Sequence, residues 1–143
     1  MKRTASVSWS GTAREGRGTF RVGSGALTAP FTYNSRFRGD SETNPEELLL
    51  SALAGCLTMA MAAALQEGEG GGGELETSAE LDLVPHESGG YRIPSMGLEI
   101  AVAGAGSQDE ADAALRRAIE MCPICNALTG TDIHVTARPV PSP

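Results

Sequence analysis

The feature that most constrains this chain is an apolar run of eighteen residues, 48–65, in the middle of the sequence. It reads LLLSALAGCLTMAMAAAL, and its only polar members are Ser51 and Thr58. The run is long enough to span a membrane, but half of it is Ala, Gly, Ser or Thr, and acidic residues flank both ends, so no basic cluster orients it. Because a helix that is apolar on all sides is typical of a protein interior, we predict a buried helix and no membrane contact.

The limits of this helix are marked by local signals. Residues 44–47 read Asn-Pro-Glu-Glu, which supplies an N-cap, a proline at the first helical position and carboxylates in the first turn. Asn44 and Glu47 also have the spacing of a capping box. Gly68 and the glycine run 70–73 mark its end. The run lacks the Lys-Ser/Thr of a phosphate-binding loop and follows a helix, so we interpret it as a flexible connector.

A second helix and several strands complete the predicted fold. Residues 107–110, Ser-Gln-Asp-Glu, again have capping-box spacing. The apolar face predicted after them consists of Ala111, Leu115, Ala118, Ile119 and Cys122. Pro123 disfavours helical geometry at Cys122 and ends or kinks the helix there. Alternation predicts strands around Ala5, Val7, Trp9, Phe20, Val22, Ala79, Leu81, Leu83, Met96, Leu98, Ile100, Val102, Ile133 and Val135. The order strands, helix, strands, helix, strand predicts an α+β fold with a largely antiparallel sheet.

Length and charge narrow the classes of function. The 143 residues fit one domain, 1–143, with a proline-rich tail at 138–143 that we expect to be frayed. Eleven Lys and Arg against 18 Asp and Glu give a net charge of −7, which argues against a nucleic-acid partner, because phosphate binding needs a basic face. The first residues do not resemble a secretory signal. Three cysteines are too few, and odd in number, for a disulfide-stapled scaffold, so we expect a reducing compartment such as the cytoplasm.

Reactive chemistry in this chain can come from its three cysteines. Cys56 lies inside the apolar helix, where a free cysteine is often a small buried hydrophobe. Cys122 and Cys125 form a C-x-x-C that closes a helix, and the helix dipole at that end disfavours a thiolate. Cys122 is therefore predicted to be a partner thiol and not the primary nucleophile. His86 and His134 lack zinc-ligand spacing to this pair, so we expect two solvated histidines and no metal site.

Two sequence blocks together resemble the OsmC/Ohr family, the osmotically inducible and organic-hydroperoxide-resistance proteins. The first block comprises Asn-Ser-Arg-Phe at 34–37, Thr-Asn-Pro-Glu-Glu-Leu-Leu at 43–49 and Ala-Gly-Cys at 54–56. The second is Cys-Pro-Ile-Cys-Asn-Ala-Leu at 122–128. The first block is closer to the OsmC branch. The resemblance covers nearly the whole chain and implies an OsmC-like fold, with antiparallel sheets wrapped around two long central helices in an intertwined homodimer.

The resemblance also implies a thiol-dependent peroxidase that reduces organic hydroperoxides, and hydrogen peroxide less well. Cys56 would be the peroxidatic cysteine, oxidised to a sulfenic acid, and Cys122 the resolving cysteine that forms a disulfide with it. Arg36 would hold the thiolate and polarise the peroxide, and Glu46 would pair with Arg36. No cofactor is expected to be bound, because the family's usual reductant is an external dihydrolipoyl group on a lipoylated protein. Cys125 departs from the family pattern and could compete as resolver or receive the disulfide from Cys122.

The predicted helix has a consequence for assembly. Glu46 and Cys56 are ten residues apart on it, about 15 Å along its axis, a gap that no side chain closes. Either Arg36 spans between them, or Arg36 and Glu46 reach the Cys56 of a partner chain, so we predict active sites at the interface of a homodimer. Apolar walls that favour an organic hydroperoxide are expected from Leu53, Leu57, Met59, Met61 and Phe37.

Two alternative functions stay open at the level of the sequence. The chain could be a non-catalytic dimeric domain whose cysteines belong to the core and whose cleft binds a small apolar ligand. It could also be a general thiol–disulfide oxidoreductase that uses Cys122 and Cys125. A Cys56→Ser substitution separates the peroxidase from the oxidoreductase, because it removes peroxide consumption and spares exchange.

Overall fold

The computed structural model describes residues 1–39, 41–67, 73–103 and 106–141. Its elements are β1 Ala5–Ser10, β2 Arg17–Val22, β3 Thr28–Thr32, α1 Tyr33–Phe37, α2 Pro45–Gln66, β4 Leu75–Leu81, β5 Val84–Pro85, β6 Tyr91–Arg92, β7 Ser95–Ala103, α3 Gln108–Met121, α4 Pro123–Ala127 and β8 Asp132–Val140. This order confirms the predicted α+β pattern and adds two short helices, α1 and α4. Two compact units divide the chain, Met1–Leu49 and Leu50–Pro143, and the assignment of 1–143 to one domain stays a prediction.

The first unit contains an antiparallel meander in the order β1-β2-β3. Its rings pack along one face, with the centroids of Phe20 and Phe31 4.1 Å apart and those of Trp9 and Phe31 5.3 Å apart. Gly18 lies in β2 beneath these rings, and a Cβ there would come within 2.2 Å of Phe31. The strand therefore passes under the aromatic cluster only because this residue has no side chain.

Helix α2 begins where the local signals predict. The side chain of Asn44 accepts a hydrogen bond from the backbone N–H of Glu47 at 2.8 Å, as an N-cap does. The helix runs to Gln66. The predicted stop at Gly68 and residues 70–72 of the predicted connector lie outside the described residues.

The main sheet of the second unit has the order β4-β7-β8. Strands β4 and β7 are antiparallel, whereas β7 and β8 are parallel. The parallel pair follows from the chain path, because α3 lies between these strands in sequence and a parallel neighbour needs such a crossover. The buried positions of β7 alternate, as the sequence predicts, through Met96, Leu98, Ile100 and Val102.

The C-terminal segment corrects one expectation. Residues 138–140 are not frayed, because they belong to β8 and pair with residues 101–103 of β7. Pro139 is tolerated there because β8 is an edge strand with no neighbouring strand on its outer side. Its missing N–H therefore removes no hydrogen bond to a further strand. The last two residues, 142–143, lie outside the described part of the chain.

Helix α2 buries one face within the second unit. That face consists of Leu53, Leu57, Met61, Ala64 and Leu65. Arg117 of α3 donates a hydrogen bond to the carbonyl of Ala64 at 2.7 Å, and Thr58 lies 2.6 Å from Thr77 of β4, hydroxyl to hydroxyl. Only 28% of the apolar stretch is buried within the chain, and Met59 is 73% exposed. The helix is long and apolar enough to cross a membrane by length and composition, a test that core helices also pass. The prediction of burial on all sides is not met within one chain.

Candidate active site

An ion pair occupies the junction of α1 and α2 in the first unit. The Nε and Nη2 atoms of Arg36 both donate to Oε1 of Glu46, at 2.9 and 2.6 Å. The second carboxylate oxygen of Glu46 is buried and has no hydrogen-bond partner among the described residues. The side chain of Glu46 is 12% exposed and that of Arg36 is 40% exposed. The pair that the resemblance implies is therefore formed, with the carboxylate inside and the guanidinium partly accessible.

A capping box sets the position of Arg36, and sequence reasoning missed it. Thr32 caps α1 by accepting from the N–H of Ser35, whose hydroxyl accepts in turn from the N–H of Thr32. The same hydroxyl lies 2.9 Å from the carbonyl of Thr43, just before α2. Ser35 is buried, so these bonds hold α1 against the start of α2. The Thr-x-x-Ser spacing was the signal available in the sequence.

The three cysteines form one cluster in the second unit. The sulfurs of Cys56 and Cys122 lie 3.3 Å apart, although 66 residues separate them in sequence. The backbone N–H of Cys125 donates to the Cys122 sulfur, also at 3.3 Å. Cys122 is fully buried, whereas Cys56 and Cys125 are half-buried. Because a disulfide has an S–S length of about 2.05 Å, Cys56 and Cys122 need to approach by only about 1.3 Å to form one.

The C-x-x-C has a different setting from the one predicted. Cys122 ends α3, as expected, but it is also the N-cap of α4, which starts at Pro123. Proline ends the first helix and then occupies the first position of the next, where its missing N–H costs nothing. The prediction that the motif closes a helix is confirmed for α3. The expectation that the local backbone disfavours a thiolate on Cys122 is wrong, because Cys122 also caps α4 and its sulfur accepts the N–H of Cys125.

The three thiols of this cluster have different pKa shifts. Burial raises the pKa of the Cys56 thiol, and the adjoining Cys122 raises it further. Burial also acts to raise the pKa of Cys122, but hydrogen bonds from Cys125 and Cys56 outweigh it and leave that pKa below its ordinary value. Burial, together with Cys122, raises the pKa of Cys125 to about 12. One negative charge can thus reside on the Cys56–Cys122 pair, and one proton can pass between the two sulfurs.

The structure also shows where the predicted apolar walls and the two histidines lie. Of the expected apolar walls, Leu53, Leu57 and Met61 are fully buried core residues, so the prediction that they line a peroxide site is wrong for this chain taken singly. Both histidines are exposed, as predicted. Among the residues that the structure describes, no three His, Cys, Asp or Glu side chains are arranged to hold a metal ion.

A half-buried thiol against a buried one, 3.3 Å apart in an α+β scaffold, is the arrangement typical of a dithiol redox protein. Comparison with known proteins then gives the family. The model of the OsmC-like protein family matches residues 38–138. The chain is also 33% identical over 123 residues to Peroxiredoxin OsmC of Escherichia coli (strain K12), an overlap that covers 84% of this chain and 85% of the relative. The chain belongs to the OsmC-like family, and the family predicted from its sequence is confirmed.

Solved structures agree with this fold. The organic hydroperoxide resistance protein OhrB of Bacillus subtilis superposes with a TM-score of 0.73 at 25% identity, over 94% of this chain and 98% of its own. An organic hydroperoxide resistance protein from Elizabethkingia anophelis gives a TM-score of 0.74 at 21% identity, over 99% of each chain, which concerns the fold alone. The OsmC-like α+β fold is confirmed, and the intertwined dimer stays a prediction.

Proposed function

We propose that this chain is a thiol-dependent peroxidase that reduces organic hydroperoxides to alcohols, and hydrogen peroxide less well. Family membership and the curated peroxiredoxin relative support the peroxidase class, and the likeness to OhrB supports an organic hydroperoxide as substrate. The single observation that carries the proposal is the 3.3 Å separation between the sulfurs of Cys56 and Cys122. Two thiols from distant parts of the chain therefore lie close enough to support a disulfide between them as the oxidation product.

Cys56 is the proposed nucleophile because it is the accessible member of the pair. Cys122 is fully buried, so a peroxide cannot reach its sulfur in this conformation. The Cys56 thiolate attacks one peroxide oxygen, an S–O bond forms, and the O–O bond breaks. The leaving alkoxide takes a proton and departs as the alcohol, while Cys56 becomes a sulfenic acid. Cys122 can accept the Cys56 proton across 3.3 Å, which provides the thiolate needed for attack.

Arg36 and Glu46 are the proposed groups that orient the peroxide. Glu46 binds the Nε edge of the guanidinium, which leaves other N–H groups of Arg36 available to a thiolate or a peroxide oxygen. A guanidinium is permanently charged, so it stabilises the negative charge as it moves from sulfur to the leaving oxygen. Whether this pair serves the Cys56 of its own chain or of a partner stays a prediction.

The second half of the cycle removes the sulfenic acid. Cys122 attacks the Cys56 sulfur, an S–S bond forms, the S–O bond breaks, and the oxygen leaves as water. An external dithiol of the dihydrolipoyl class, on a lipoylated protein or free, is the proposed reductant. It reduces the disulfide to two thiols and is itself oxidised to a cyclic disulfide, so that the cycle needs no bound cofactor.

A homodimer in the cytoplasm is the proposed working form. The support is the apolar stretch of α2, of which only 28% is buried within one chain, and the exposed Met59 at its centre. A second copy is favoured over a lipid phase because the flanks of the helix carry Glu46, Glu47 and Glu67 and no basic anchor. Covering such a face with its own copy is the commonest way to form a closed assembly.

Substitution of the nucleophile tests the function. Cys56→Ser is expected to abolish consumption of cumene hydroperoxide with a dithiol reductant, whereas Ser51→Ala, at an exposed position of the same helix, is expected to leave it unchanged. If Cys56→Ser kept the peroxidase rate, Cys56 would not be the nucleophile. If the wild type consumed no peroxide and Cys56→Ser still exchanged thiols with small disulfides, the C-x-x-C alone would carry the function. The protein would then be a general thiol–disulfide oxidoreductase. A protein with neither activity would fit the ligand-binding alternative.

A further inference from the structure

We propose that Cys125 takes over the disulfide from Cys122, so that oxidation begins at Cys56 and ends as a Cys122–Cys125 bond that faces a separate cleft. The inference rests on the proposed peroxidase function and adds a third thiol to it. Its basis is the arrangement of the three sulfurs around Cys122, the only one of them that is fully buried.

Cys122 lies between two possible partners. Its sulfur is 3.3 Å from that of Cys56 on one side. Its sulfur also accepts the backbone N–H of Cys125 at 3.3 Å. This contact keeps Cys125 next to the Cys122 sulfur, so Cys125 is placed to attack that sulfur once it belongs to a disulfide. The backbone of α4 fixes the spacing of Cys122 and Cys125 as its N-cap and third residue.

The proposed step is an isomerisation that needs no external oxidant. Cys125 attacks the Cys122 sulfur of the Cys56–Cys122 disulfide, the Cys122–Cys125 bond forms, and the Cys56–Cys122 bond breaks. Cys56 leaves as a thiolate and takes up the proton that Cys125 loses. Burial raises the pKa of Cys125, so its attack depends on that proton transfer. Cys56 is a thiol again while the chain is still oxidised.

The surroundings of Cys125 explain what the transfer achieves. Cys125 lines a cleft of about 240 Å³ together with Ile119, Leu128, Ile133 and Val135. Ile119, which the sequence places on the buried face of α3, is 38% exposed in this cleft. Because Cys122 is closed to solvent, a reductant can attack the Cys56–Cys122 disulfide only at Cys56, the residue that also meets the peroxide. Passing the bond to Cys125 therefore offers the reductant an accessible sulfur away from the residue that meets the peroxide.

The stoichiometry of peroxide consumption tests the relay. Reduced protein is titrated with cumene hydroperoxide without any reductant. Wild-type protein should consume two equivalents per chain, because the relay returns Cys56 to the thiol, which then reduces a second peroxide. Cys125→Ser should stop at one equivalent, since its disulfide stays on Cys56. The expected difference is thus about twofold.

Peptide mapping of the wild type gives a readout that does not depend on any variant. No Lys or Arg lies between Arg117 and Arg138, so Cys122 and Cys125 are on one tryptic peptide. After one equivalent of peroxide, that peptide should lack two hydrogens, and Cys56 should react with iodoacetamide. A lasting cross-link from Cys56 to Cys122, or one from Cys56 to Cys125, with consumption ending at one equivalent, would overturn the relay alone. A wild type that consumed no peroxide would overturn the proposed function itself.

Discussion

Removing the charge of Glu46 tests how Arg36 is positioned. In Glu46→Gln the side chain keeps its shape, but the carboxylate that receives Nε and Nη2 of Arg36, at 2.9 and 2.6 Å, becomes a neutral amide. A hydrogen bond to a charged group contributes about 1.5–3 kcal/mol. Because Arg36 is 40% exposed, solvent screening places the loss just below this range, at about 1.4 kcal/mol. If the guanidinium acts in the transition state, kcat/KM should fall about tenfold.

The assay and its control can be matched closely. Peroxide reduction is followed by stopped flow with cumene hydroperoxide, and a thermal melt checks that the fold is retained. Glu47→Gln removes the same charge from the same helical turn, but this exposed carboxylate accepts only the hydroxyl of Thr43 among its described partners, so kcat/KM should stay within about twofold. Equal losses of kcat/KM in Glu46→Gln and Glu47→Gln would mean that the negative charge at the start of α2, and not the contact with Arg36, affects the rate. An unchanged rate in Glu46→Gln would refute the positioning of Arg36 by Glu46.

Three further outcomes are expected. Leu57→Ala should reduce the free energy of unfolding by about 2–5 kcal/mol in denaturant melts, because Leu57 is fully buried; a loss below about 1 kcal/mol would contradict its place in the core. Met59→Glu should shift the protein from dimer to monomer in equilibrium sedimentation, since it charges the open face of α2; an unchanged dimer would exclude that face. The pKa of Cys125 is raised from 9.0 to about 12, mainly by burial, so the unfolded chain ionises this thiol first and stability falls as pH rises from 9 toward 12. Under reducing conditions the wild type should lose more stability than Cys125→Ser between about pH 8 and about pH 10.5, and equal losses would be inconsistent with that pKa.

The parts of the fold that sequence predicts well are those set by neighbouring residues. Asn44, Pro45 and the two following glutamates act within one helical turn, so the start of α2 is found correctly. The period-two pattern of β7 is equally local. The direction of β8 is different, because whether it runs parallel or antiparallel to β7 depends on how α3 returns the chain to the sheet. Its prolines suggested fraying, and only the place of β8 at the sheet edge shows that they can pair.

The site residues show the same difference between what neighbouring residues determine and what tertiary packing determines. Resemblance supplied Arg36, Glu46, Cys56 and Cys122, and the structure brings the first two into contact and the last two to 3.3 Å. No periodicity in the sequence joins residues 66 positions apart, because that contact is made by tertiary packing. Pro123 ends α3 as predicted, but its second role as the first residue of α4 was not foreseen. A proline that ends one helix can begin another, and the choice depends on the path of the chain beyond it.

The capture of a sulfenic acid on Cys56 tests the central claim most directly. In Cys122→Ser the proposed resolving thiol is absent, so one equivalent of cumene hydroperoxide should leave Cys56 oxidised long enough to be trapped by dimedone in a rapid-quench experiment. We expect a dimedone adduct on the peptide that contains Cys56 and none on the peptide that contains Cys125. An adduct on Cys125, or unmodified Cys56 after the peroxide has been consumed, would contradict it.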